Sequence, residues 1–168
     1  QPVIDAVNGR IQGWTPLEAT ALGFAVNEPG FSTMGGSLLR YDNDNASATV
    51  GLTLLNGKRT LGISFEGSND ITTGNGRKDW NHNVFSIKGY YDLLNEPRND
   101  NEISFLQSIV NYINSQGIEQ VLVTGHSLGG AAAQFFMQDY GGTDARYIGV
   151  TFGSPGTNRF QALPKERF

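Results

Sequence analysis

Cysteine is absent from the 168 residues of this chain. That excludes disulfides, thiolate metal sites and a cysteine nucleophile. Histidine is nearly absent: only His82 and His126 can supply an imidazole. No apolar run reaches the ~18 residues that a membrane-crossing helix needs. Charge is sparse, with Lys, Arg, Asp and Glu at 17% and a net charge of −4, so there is no basic surface of the kind that binds nucleic acid. The chain holds no internal repeat, no low-complexity tract, no phosphate-loop motif and no His-rich metal spacing. It opens on Gln1 without Met, so the expectation is an N-terminus that is processed or cut from a longer protein.

What is present suits one globular domain over residues 1–168. Apolar residues make up 38%, and a domain of ~150 residues buries roughly 70% of its unfolded surface. Trp14–Phe24 reads as a helix after Thr15, with Thr15 as cap and Pro16 at the first helical position. Gly-rich residues 25–37 read as loop. Ala48–Leu55 and Thr60–Phe65 flank Asn56-Gly57, a strong hairpin signal. Polar residues 66–78 read as a long surface loop, a length more often functional than not. In Asp79–Leu94, the spacing of Trp80, Val84, Ile87, Tyr91 and Leu94 fits a helix face, yet Asn83–Lys88 also fits a strand with a helix from Gly89; strand then helix is the expectation. Asn101–Gln116 reads as a helix capped by Asn99 or Asp100. Glu119–Thr124 and Tyr147–Phe152 read as buried parallel strands joined by a helix from Leu128 to about Tyr140. The fold class is α/β, a mostly parallel sheet with an antiparallel hairpin near one edge.

The chemistry concentrates in VLVTGHSLGGAAAQFF, residues 121–136. An apolar strand ends in Gly-x-Ser-x-Gly and passes directly into a helix. A serine on such a turn is presented as a nucleophile, here Ser127, and the strained turn leaves no room for bulk two residues either side. Gly125 and Gly129 meet that need, and Gly130 and Ala131–Ala133 let the helix lie close to the sheet. The amide of Leu128, at the helix N-terminus, is placed to stabilise an oxyanion. The alternative is a Gly-rich turn with an incidental serine. His126 beside Ser127 is poorly placed as its base, because neighbouring residues diverge at a tight turn.

These residues resemble the nucleophile segment of class 3 lipases, the fungal-lipase-like branch of the α/β-hydrolases. ISFEGS (63–68) resembles that family's strand ending in Phe-Arg-Gly-Thr/Ser, Asp79-Trp80 its Asp-Trp pair, and VTFGSPGTNRF (150–160) its strand after the nucleophile helix. GWTPLEATALGF resembles secreted bacterial lipases that carry C-terminal calcium-binding repeats. The resemblance implies an α/β-hydrolase fold with helices on both faces of the sheet. It implies a serine esterase of lipid substrates such as acylglycerols, acting at an interface and secreted. Ser68 would be the second oxyanion donor beside Leu128, and residues 69–78 a lid. Glu66 stands where the family has Arg, which reverses a charge near the site and leaves its ion pairing open.

In the family the acid and histidine follow the strand after the nucleophile helix. Downstream of Ser127 this chain offers Asp139, Asp144 and Glu166, and no histidine. The expectation is therefore a chain that stops before the acid and histidine and lacks the C-terminal strands. Two alternatives stay open: His82 as the base, and a non-catalytic binding domain on a hydrolase scaffold. No metal or cofactor is expected, with calcium left open at Tyr41–Asn45, which reads first as a polar turn.

Overall fold

The computed structural model describes residues 4–5, 10–11, 13–67, 83–98 and 102–156. Two short pairs stand apart, β1 (Ile4–Asp5) with β2 (Arg10–Ile11) and β8 (Pro97–Arg98) with β9 (Ile103–Ser104). The main sheet contains β3 (Thr15–Pro16), β4 (Phe31–Met34), β5 (Leu38–Asn43), β6 (Ala46–Leu55), β7 (Lys58–Phe65), β10 (Gln120–His126) and β11 (Tyr147–Phe152). Its order is β11-β10-β7-β6-β5-β4, with β3 pairing beside β6. The helices are α1 (Asn83–Leu94), α2 (Phe105–Ser115) and α3 (Leu128–Phe136).

The sheet is mixed. β11, β10 and β7 run parallel, whereas β7, β6, β5 and β4 form an antiparallel meander. The hairpin read from Asn56-Gly57 joins β6 to β7, and both residues take positive φ, 52° and 77°, as a type I′ turn requires. The antiparallel part exceeds that one hairpin because residues 31–34, read as loop, form β4, and three of the five residues Tyr41–Asn45 belong to β5. The turn there is confined to Asp44-Asn45. Tyr41, Leu39, Ala48, Val50, Ile63, Phe65, Val121, Val123 and Tyr147 share one face through the register and are all buried. Phe136 of α3 meets Phe65 and Tyr147 there, and Phe105 of α2 stacks on Tyr41 at 4.4 Å.

Helices were expected on both faces; those among the described residues cover this one. On the other face Gly51 and Gly62 lie opposite each other in register. Together they form a slot for the Trp14 indole, since a Cβ on Gly62 would come within 2.6 Å of the ring. Ile148, Val150 and Phe152 of β11 are exposed on that face.

Three local expectations are corrected. Residues 15–16 extend along β6 and do not begin a helix. The proline ring pushes Thr15 out of the helical region, and only Ala19–Leu22 turn, as a 3₁₀ helix closed by Gly23 at φ 89°. The second helix starts at Phe105, not Asn101. Its cap is Ser104, whose hydroxyl accepts the Gln107 amide at 3.0 Å, while Asn99 and Asp100 lie outside the described residues. Residues 83–94 form one helix, not a strand followed by a helix, because Ile87, Tyr90, Tyr91 and Leu94 bury one helical stripe.

Gly89 therefore lies inside α1 and does not start it. It is exposed, with nothing within 4 Å of a Cβ built on it. Gly89→Ala is expected to raise stability by about 0.5–1 kcal/mol by limiting the unfolded chain, measured as an upward shift of the urea midpoint at unchanged slope.

Candidate active site

In an open α/β sheet, ligands bind beyond the carboxyl ends of parallel strands. Here three such ends lie side by side. Phe65 of β7 is level with Gly125 of β10, and His126 with Phe152 of β11. The residues that follow, Glu66-Gly67, Ser127 and Gly153-Ser154, thus form one rim.

Ser127 sits between β10 and α3 at φ 54° and ψ −122°, a region that side-chain-bearing residues rarely occupy. Its amide donates to the Phe152 carbonyl at 2.9 Å, and its own carbonyl accepts from the amides of Gly130 and Ala131. The turn is closed so tightly that a Cβ on Gly125 would overlap the Gly129 carbonyl, and one on Gly129 would overlap the backbone of Phe65 and Glu66. A Cβ on Gly130 would come within 2.9 Å of Ser154 Cβ, so Ser154 is pressed against α3. The Ser154 hydroxyl accepts from Gln134 Nε2 at 3.0 Å and from the Gly156 amide at 3.3 Å. These are the contacts that the small residues of GHSLGG and GSPG permit.

Ser127 is partly exposed, and Gly67 faces it: a Cβ on Gly67 would lie 3.6 Å from Ser127 Cβ. Leu128 is the first residue of α3, and first-turn amides have no partner within the helix. Among the described residues its amide donates to nothing. His126 is exposed at the strand end, with its imidazole against Gly153, and makes no hydrogen bond to Ser127 among the described residues. Ser68, His82, Asp79-Trp80, the lid segment 69–78 and Glu166 lie outside the described residues. Asp144 is paired with Arg146 at 2.7 Å before β11 begins, a strand's length from Ser127, and Asp139 lies beyond the C-terminal end of α3.

The reversed charge at Glu66 has its counterpart in Arg40 of β5, whose guanidinium pairs with the Glu66 carboxylate. Arg40 also donates to Asp42 from Nε at 2.9 Å and to the Ser47 hydroxyl at 3.1 Å, and the Ser47 hydroxyl donates to Asp42 at 2.5 Å. Burial pushes the Asp42 carboxyl upward, but the hydrogen bonds from Arg40 and Ser47 outweigh it and hold the group below its ordinary range. Tyr90 of α1 lies behind this cluster, its hydroxyl 2.7 Å from the Ser47 carbonyl and 2.5 Å from that of Glu66. Burial raises its pKa to about 12, so it remains a donor.

Reading the sequence missed Arg40 and Tyr90, since their roles depend on strand pairing. Asp42 and Asn43, offered for calcium, are turned to protein partners: Asp42 as above, and Asn43 to the Leu93 carbonyl and Arg98. Among the described residues no group of three or more His, Asp and Glu could hold a metal, and no helix is long and apolar enough to cross a membrane. A cavity of about 600 Å³ lies at the far end of β7, lined by Thr15, Leu52, Arg59 and Ile118, and does not touch this rim.

A family model described as Lipase (class 3) matches residues 66–166, more than half of the chain. No curated protein and no solved structure matches this chain.

Proposed function

Because this chain belongs to the class 3 lipase family, a family of hydrolases, we propose that it is a serine carboxylic-ester hydrolase with Ser127 as nucleophile. The observation that supports this most is the backbone of Ser127 itself. A serine held at positive φ on a strand-to-helix turn, with glycine two residues either side, projects its hydroxyl above the sheet. Ser127 Oγ would attack the ester carbonyl and form the bond to carbon as the carbonyl electrons move to oxygen. The Leu128 amide, joined by Ser68, would hold that oxyanion. An imidazole would take the serine proton and return it to the departing alcohol, and water would then release the acid.

His126 is turned to Gly153 and does not suit that role. The resemblance places the imidazole and its acid after the strand that follows the nucleophile helix, with His82 the alternative base. Acylglycerols or related lipid esters are the proposed substrates and secretion the proposed location, both by family likeness.

The test is labelling of the intact protein with a fluorophosphonate probe beside Ser127→Ala. Labelling that disappears in the variant is the expected result. A folded protein that does not label, or labelling that survives in Ser127→Ala, would overturn the reading and favour a binding domain on the hydrolase scaffold.

A further inference from the structure

The peptide of Glu66 is held on two sides. Toward α3, a Cβ on Gly129 would strike the Glu66 carbonyl carbon and oxygen, so the two backbones are already in contact. Toward α1, the Tyr90 hydroxyl lies 2.5 Å from the same carbonyl oxygen. That hydroxyl also lies 2.7 Å from the Ser47 carbonyl and accepts the Ser47 amide at 3.2 Å. Ser47 itself accepts the Glu66 amide at 3.0 Å, one residue beyond the last β6–β7 pair, Ala48 with Phe65. The phenol thus closes the open end of the β6–β7 ladder where β7 gives way to the loop. Tyr90 is only 4% exposed and its ring is part of the core, so the hydroxyl has little freedom to leave. The next residue, Gly67, is the one that faces Ser127 Cβ.

We propose that Tyr90 is a positioning residue for the oxyanion site, its hydroxyl fixing the Glu66 peptide and so the direction in which the backbone passes Ser127. The role rests on the esterase reading above. A phenol has one proton, shared between or alternating over the two carbonyls, and its oxygen is a single rigid point beside both. Loss of the hydroxyl leaves the Glu66 carbonyl held by α3 alone, and Gly67 loses its fixed approach to Ser127. A donor displaced from the oxyanion costs rate and leaves substrate affinity largely intact, since the stabilised charge develops only in the transition state.

The experiment compares the wild-type intact protein with Tyr90→Phe and, as a control for loss of a hydroxyl elsewhere, Tyr140→Phe, whose phenol donates to Asn95 Oδ1 at 3.2 Å. Fluorophosphonate labelling rate, kcat and KM for a p-nitrophenyl ester, and Tm are measured. In Tyr90→Phe, kcat and labelling rate should fall about 10- to 100-fold with KM within about twofold, the scale of a 1 Å misplacement. Tyr140→Phe should lose a comparable Tm and keep its kcat. Should Tyr90→Phe fail to fold, p-fluorophenylalanine at position 90 keeps the volume without the donor. Recovery by p-aminophenylalanine, which restores a donor, completes the case. A wild type that labels, with unchanged kcat in the donor-less variants, overturns the positioning role alone. A wild type that does not label overturns the esterase reading, and this role with it.

Discussion

Ser127→Gly is expected to stabilise the fold and abolish reaction with the fluorophosphonate. At φ 54° and ψ −122° the serine occupies a region that costs a side-chain-bearing residue ~1–3 kcal/mol. Glycine has no Cβ and escapes that cost, while its greater freedom in the unfolded chain returns roughly 0.5–1 kcal/mol of the gain. The net is about 1 kcal/mol, or ~2–4 °C in Tm for a domain of this length. Ser127→Ala keeps the Cβ and the strain, so its Tm should stay near the wild-type value. Both variants lose the hydroxyl proposed as the nucleophile, and ester hydrolysis should fall on the order of 10⁴-fold or more. A paired calorimetric scan of the two variants separates strain from loss of the hydroxyl. Equal Tm values for Gly and Ala at position 127 would show that the turn carries no strain worth relieving.

Gly129→Ala should act in the opposite direction and more strongly. The added methyl would enter the Phe65 carbonyl and the Glu66 peptide, and backbone in a paired strand cannot swing aside as a flexible side chain can. Either α3 lifts from β7 or the end of β7 is pushed from Ser127. Overpacking against side chains costs ~1–3 kcal/mol, and against backbone the loss should reach roughly 3 kcal/mol or more. That corresponds to a fall in Tm of at least ~6 °C, with labelling of Ser127 lost as well. The same chemical change at Gly89 meets open space and should stabilise, so the sign follows from surroundings and not from residue type. A Gly129→Ala protein with wild-type Tm and full labelling would contradict the tight contact between α3 and β7.

Several features were legible in order along the chain. The turn at Asn56-Gly57 demands positive φ at both positions, a property of the two residues themselves. The strand, serine and helix of residues 120–136 were legible for the same reason, because glycine two positions either side answers a short-range clash. Other elements were misread where two local periods competed. Asn83–Lys88 satisfies strand and helix patterns alike, and burial of Ile87, Tyr91 and Leu94 against the sheet decides for the helix.

What the sequence determined by itself, then, is the strand-turn-helix that presents Ser127, its small neighbours and the central hairpin, since each depends on sterics within a few residues. Tertiary structure decided the size of the antiparallel half of the sheet and the surroundings of Glu66. Arg40 reaches Glu66 across 26 residues and Tyr90 across 24, distances along the chain that only the pairing of β5, β6 and β7 and the docking of α1 close. Local residue types hold no record of such contacts, because a charge or a hydroxyl acquires its partner only when the register of the sheet has been set.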